Sequence, residues 1–417
     1  MTAAPTGRPV VTLLQAVSVT TTGVLPAFLL GALAVQIRDD LNLGPALMGI
    51  AAATLFAVSG IFARPLGCVV QRLGAGRGMA ISAGLAVLAL AGAGAAPSFP
   101  ILVAALFIGG MANSMAQPAA NLGISRSIGD KRLGLAFGIK QSAIPAASIL
   151  GGLAVPTIGL VLGWRYAFFC GAVVAAALAV WALARGQGAT GPAKASGHPE
   201  DRGTPRAGLV VLTLAGGLAA AAATSLGVFL VDSSVQAGIS PSAAGLLFAG
   251  AALLGLLIRV FLGALMDRMP TRSPYILIAN LLVAGVFGYL LLSVGSHPLI
   301  VIGSLLAFGA GWTWTGLLHF AVVRDNRLAA ASATGAVQTG LSLGSAVGPL
   351  LFGFLVSATS YSTAWVVAGM VALAAAITFR IGRRLIRKSR GMPVFTLRRK
   401  TVSPTSTLKS TSPKETR

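Results

Sequence analysis

GALMDRMPTR, Gly263 to Arg272, closes one apolar run and opens the next, and it packs Asp267, Arg268 and Arg272 into a corner too short to fold by itself. An earlier copy, GCVVQRLGAGR from Gly67 to Arg77, has the same leading glycine, an arginine five residues on and a trailing arginine. Gly67 and Gly263 are 196 residues apart, and so are Arg72 and Arg268. LGPALMGI from Leu43 lies over ISPSAAGL from Ile239 at the same offset. GIKQSAIPAASILGG from Gly138 lies over GAVQTGLSLGSAVGP from Gly335 at 197. A drift of one residue is what two copies of one unit accumulate, so the chain reads as two halves of about 200 residues, a plan shared by many secondary transporters.

Composition names the solvent. Hydrophobic residues make up 55% of the 417, charged ones 10%, and the mean hydropathy is +0.85, which places the chain in a membrane. Backbone groups in lipid must be satisfied within the element, and apolar runs of about 20 residues select helices over a barrel. The sequence predicts an all-α integral membrane protein with twelve transmembrane helices in two six-helix pseudo-repeats. The expected parts are a short cytoplasmic start (1–9), a first bundle (10–185), a cytoplasmic linker (186–207), a second bundle (208–386) and a disordered basic cytoplasmic tail (387–417). Cys68 and Cys170 fall in apolar runs and read as small hydrophobes rather than a disulfide or metal pair.

The net charge of +22 is not a nucleic-acid footprint. With the amino terminus in the cytoplasm, only Arg38 and Arg165 of the 31 basic residues fall on the far side of the membrane. That is the positive-inside rule, and scattered loop charges offer no nucleic-acid face. The implied location is the plasma (inner) membrane, multi-pass, with both termini cytoplasmic and the bilayer and a small solute as partners. A monomer is expected.

The two basic corners resemble the cytoplasmic loop motif of the major facilitator superfamily: glycine, three residues, Asp, a basic residue, any residue, glycine, then basic residues. With the twelve runs and the duplication, the resemblance covers about Val10 to Leu385. It implies gating roles for Gly67, Gln71, Arg72 and Gly74 in the first half, and for Gly263, Asp267 and Arg268 in the second. Gln71 stands where the family has Asp and Pro270 where it has glycine, so Asp267 is left to carry more of the gating. WTWTGL from Trp312 and GIKQSAIP from Gly138 are similar to the cyanate and small-anion permease branch. Arg64 and Arg259 resemble, imperfectly, the paired arginines of nitrate and nitrite porters.

Inside the runs the residues speak separately. A rise of about 1.5 Å per residue sets Arg64, Lys140 and Arg259 roughly 12 Å or more beneath the cytoplasmic lip. A charge there costs at least about 2.5 to 3.5 kcal/mol, so each should face a wet cavity or a partner. The nine acids all fall in loops, linker, tail or helix ends, and three cations without a buried carboxylate invite an anion. Snorkelling to the lip or pairing with backbone carbonyls is the bland alternative. Gln141 with Pro145 and Ser148, and Gln338 with Ser342 and Ser345, repeat one polar stripe; their amides need partners in lipid. Asn113 and Gln117 add a pair four residues apart, Trp312 and Trp314 sit in mid-run, and His319 lies nearer the inner end.

The expected function is a secondary active or facilitative carrier of a small, anionic solute working by alternating access. The expected substrate contacts are Arg64, Lys140, Gln141, Arg259, Asn113, Trp314 and Gln338. Proton coupling by a buried Asp or Glu is not expected; exchange, facilitated diffusion, or coupling through the solute or His319 is. No catalytic constellation lies at depth, and no cofactor, metal or enzymatic role is called for. A drug or metabolite exporter and a non-transporting sensor are the competing readings.

Overall fold

A computed structural model describes residues 9–127, 133–184, 206–269, 273–326 and 330–389. The expected linker and tail fall almost wholly outside the described residues. Among the described residues there are twelve helices long and apolar enough to cross a membrane, as the sequence predicts. The first half holds α1 (Pro9–Ala32), α2 (Ala34–Leu41), α3 (Pro45–Leu73), α4 (Ala75–Gly94), α5 (Phe99–Ser127), α6 (Leu133–Gln141), α7 (Ala143–Ala154) and α8 (Trp164–Ala184). The second half holds α9 (Arg206–Gln236), α10 (Pro241–Arg268), α11 (Pro274–Val294), α12 (His297–Leu306), α13 (Thr315–Asp325), α14 (Ala330–Ala358) and α15 (Tyr361–Ser389).

The duplicated motifs have duplicated geometry. Pro45 and Pro241 stand at the first position of α3 and α10, where a missing N–H costs nothing and the ring presets φ. Gly74 turns the chain from α3 into α4 at φ 86°, a conformation that disfavours any residue with a Cβ. At the matching corner, 270–272 lie outside the described residues.

Three spans predicted as continuous are interrupted. The first bends at Leu33, between α1 and α2. The fifth breaks at Ser142: the Gln141 carbonyl would accept from residue 145, which is Pro145 and has no N–H. The tenth passes through a π-turn at Ala307–Gly311 and a turn at 312–314 before α13 begins, in a stretch (FGAGW) whose glycines hold the backbone only loosely. The second and third interruptions meet at the centre of the molecule.

The halves meet along α1 with α9, α3 with α14, and α7 with α10. At the end of the molecule that carries α2, these seams are backbone against backbone. A Cβ on Gly152 would fall 2.5 Å from Gly245 O, and one on Gly245 would fall 2.7 Å from Gly152 O. Gly49 and Pro349, and Gly353 and Pro45, approach as closely. Small residues let helices pack this tightly in lipid. At the opposite end, where α3 meets α4, the seam of α3 and α14 differs: beyond Gly60, whose Cβ would touch Ser342 at 2.9 Å, Arg64, Gly335 and Thr339 are exposed.

The α7 and α10 seam yields a prediction. Overpacking a tight contact costs about 1 to 3 kcal/mol, and here it falls on closure, not on either bundle. Gly152→Leu is expected to hold the α2 end open. With both native cysteines replaced by serine and Val24→Cys, on α1 in the wall of the central cavity, as reporter, impermeant maleimide added from the α2 side should label the variant several-fold faster than its parent; equal rates refute the seam's role.

Candidate functional site

The broken fifth and tenth spans face each other beside a central cavity with about 610 Å³ of non-protein space, open solvent included. Its aromatic wall is Phe28, Phe56, Trp312 and Trp314; its polar wall includes Asn113, Gln117, Gln141, Thr224, Thr315, His319, Gln338, Ser342 and Ser345. Both halves contribute. Phe28 of α1 and Trp312 meet across the interface with ring centroids 5.7 Å apart, and Trp314 is fixed by its indole N–H, which donates to Gly311 O at 2.9 Å.

Of the seven expected substrate contacts, Asn113, Gln141, Trp314 and Gln338 line this cavity. Arg64 does not, which corrects the expectation: it lies one turn past Gly60 on α3, where α3 and α14 have parted, and it is exposed. Lys140 and Arg259 are buried as expected, at 0% and 3% exposure, but they stand behind the wall instead of in it. Lys140 Nζ donates to Gln117 Oε1. Gln117 Nε2 lies 3.5 Å from Asn113 Oδ1, and Asn113 Nδ2 donates to Ser59 Oγ at 2.8 Å. A relay of amides thus joins the ammonium to α5 and α3.

Arg259 takes the role that the bland reading allowed for. Its Nη1 donates to Gln141 O at 2.6 Å and its Nη2 to Trp312 O. These carbonyls belong to the two breaks, one at the kink that Pro145 forces and one in the turn after the π-helix. The guanidinium, with its rigid fork of donors, is suited to bridging two such acceptors. Its Nε is buried without a hydrogen-bond partner. Since Arg259 stands on α10 and Gln141 on α6, the bridge crosses between the halves.

His319, on α13, joins the same junction. Its Nδ1 lies 2.9 Å from Thr315 O and 2.9 Å from Gln141 Nε2, and its Nε2 lies 3.3 Å from Gln338 Oε1. Thr224 and Ser345 hydroxyls bond at 3.0 Å across the cavity's other side. Among the described residues no cluster of His, Cys, Asp or Glu could hold a metal ion.

The corner residues are placed less tellingly. Gln71, Arg72 and Arg268 are exposed, Gly67 is half-buried and Gly74 is the turn described above. Gly263 is buried, 3.5 Å from where a Cβ on Gly138 would sit. The Asp267 side chain lies outside the described set. A contact that sequence reasoning missed lies at the α2 end. Asp232 of α9 accepts from Arg38 Nη1 of α2 at 2.5 Å and from the Tyr361 hydroxyl of α15, tying the halves together. Arg38 and Asp232 were visible as charges near helix ends, but nothing in their spacing pairs them.

The sequence profile described as Major Facilitator Superfamily matches residues 11–327 and 212–411. Two uncharacterized MFS-type transporters of Mycobacterium tuberculosis are similar. That of strain CDC 1551 / Oshkosh is 28% identical over 333 residues, covering 74% of this chain and 71% of its own. That of strain ATCC 25618 / H37Rv is 27% identical over 324 residues, with the same shares covered. The crystal structure of a bacterial homolog of the human lysosomal transporter Spinster, inward-facing and unoccupied, superposes with a TM-score of 0.65 at 16% identity, covering 91% of this chain and 96% of that one. The chain belongs to the Major Facilitator Superfamily and is a multi-pass membrane transporter.

Proposed function

We propose that this transporter carries a small organic anion through the central cavity by alternating access. The observation that carries the reading is the buried pair Lys140 and Arg259: neither touches a carboxylate among the described residues, and each is joined to a cavity-lining residue, Gln117 or Gln141. A negative charge roughly 8 Å from each head gains about 2 kcal/mol per cation at an effective dielectric constant near 20. Amides and hydroxyls of the wall then supply hydrogen bonds, and Trp312 and Trp314 cover the apolar part. The charge distribution supports an orientation in the plasma membrane with the α3–α4 end on the cytoplasmic side. One chain encloses the whole cavity, so a monomer suffices. Neither mycobacterial relative is named for a cyanate or nitrate solute, and the solute class rests here on charge alone.

An uncharged wall also suits a neutral amphipathic solute of the kind an exporter handles, and one comparison separates the two. Lactate, pyruvate, glycolate and succinate are offered to purified protein and proteoliposomes beside lactamide, which lacks the charge. At least one anion is expected to raise the thermal midpoint and to be taken up above protein-free liposomes, and lactamide to do neither. Lys140→Gln, which removes one charge worth about 2 kcal/mol, should weaken that anion about thirtyfold. Equal protection by lactamide, or unchanged affinity in Lys140→Gln, contradicts an anionic solute.

A further inference from the structure

His319 Nδ1 has two neighbours at 2.9 Å that make opposite demands. Thr315 O is a carbonyl and needs a proton on the nitrogen; Gln141 Nε2 is an amide donor and needs the lone pair. One nitrogen satisfies one at a time. Nε2 lies 3.3 Å from the Gln338 Oε1 acceptor and 3.4 Å from Gln141 Nε2, whose nearer contact is the one to Nδ1, so a proton on Nε2 serves Gln338 in either case. The neutral ring with its proton on Nε2 therefore holds Gln141, a first-half residue. The doubly protonated ring donates to Thr315 O on its own helix and lets Gln141 go.

We propose that His319 is the proton-binding site of this transporter: a proton on Nδ1 moves that nitrogen's hydrogen bond from Gln141 to the Thr315 carbonyl and frees the Gln141 amide to donate to the anion. This rests on the anionic solute proposed above and adds the co-substrate, a proton. Gln141 is 3% exposed and lines the cavity, and its Oε1 already lacks a hydrogen-bond partner. Once released, its N–H groups face the cavity, where a bound anion can accept from them. The same step unlinks α6 from α13, so one proton alters both what the wall offers and what joins the halves.

The surrounding charges enforce the pairing. The elements packed against α13 bring Lys140 on α6, Arg259, Asp267 and Arg268 on α10, and Tyr275 and Tyr289 on α11; α14 carries no titratable side chain, and α13 itself ends in Arg324 and Asp325. Tyr275 donates to Asp325 at 2.9 Å, away from the cavity. Arg259 is committed to its two carbonyls. Among the described side chains Lys140 thus sets the field: it opposes a second positive charge on the ring, and a bound anion offsets both. Proton and anion each raise the other's affinity, by a factor that thermodynamic linkage makes equal in the two directions. The proton arrives from and leaves to water on whichever side the cavity is open, and no bond other than N–H is made or broken.

Two experiments test this. Proteoliposomes buffered inside at about pH 7.5 receive each of the four anions outside at about pH 5.5 or 7.5, with protein-free liposomes subtracted. The inward proton gradient is expected to raise initial uptake by a factor within the roughly 5–150-fold range of allosteric couplings, and in His319→Gln that ratio should fall to one. A wild-type ratio of one, with uptake present, overturns proton coupling but leaves the anion reading intact. A ratio kept in His319→Gln overturns the residue. The second experiment needs no solute: in protein labelled with ¹⁵N in its histidine rings, the signals lost in His319→Gln report His319. Nδ1 is expected without a proton at alkaline pH and with one at acid pH. A protonated Nδ1 at alkaline pH overturns the switch whatever the transport assays give, and failure of all four anions to bind or move overturns the proposed function on which it rests.

Discussion

Arg259→Ala is expected to abolish measurable transport while changing thermal stability only modestly. The two effects separate because two stability contributions oppose each other. Removing the guanidinium orphans Gln141 O and Trp312 O, at about 1 to 3 kcal/mol per buried acceptor. It also lifts the cost of holding a cation at that depth, about 2.5 to 3.5 kcal/mol on insertion scales. The sum lies near zero, so the thermal midpoint should move by a few degrees. No such cancellation protects the junction between halves. A hydrogen bond from a charged donor contributes about 1.5 to 3 kcal/mol, and an equilibrium between two states that loses the one to Gln141 O, which alone of the two crosses between the halves, moves by about 10- to 150-fold. Arg259→Lys should rescue little, because an ammonium lacks the planar fork that spans two carbonyls. Uptake of the four anions and a melting curve measured on the same preparations check both halves of this; transport retained in Arg259→Ala would remove the bridge from the mechanism.

The second large effect lies at the α2 end. Asp232 is nearly buried, holds Arg38 and Tyr361, and closes one mouth of the molecule. Asp232→Asn keeps the shape and removes the charge. Discounted for the partial exposure of Arg38, the loss is about 1 to 2 kcal/mol, which is roughly a tenfold rise in molecules open at that end. The Val24→Cys reporter should show that rise, and Arg38→Gln should reproduce it. If Asp232→Asn labels no faster than its parent, the seams alone seal the end and the ion pair is incidental.

What the sequence made legible was whatever leaves a periodic or repeated trace. The duplicated corners and twelve apolar runs led to the fold, and the polar stripes led to Gln141, Gln338, Ser342 and Ser345. Depth counted along a helix found Lys140 and Arg259 but could not say which way their heads turn. The same count misplaced Arg64, because whether a residue near a mouth is enclosed depends on where two helices part, and no single helix records that. Phe28, Phe56, Thr224 and Thr315 were missed because an aromatic or threonine in an apolar run has the same appearance in a wall as in a core. The Pro145 kink was readable in principle: a proline four residues after a glutamine frees one known carbonyl. Its partner came from another half of the chain, 118 residues away.

Glycine lining the joints has a bearing on leakage. With no pliable side chains between Gly152 and Gly245, or between Gly49 and Pro349, the opposed surfaces mate along their length or stand apart, and a door half ajar has no favourable geometry. A conduit passing ions continuously from face to face is disfavoured by the same joints, and cargo crosses in discrete parcels.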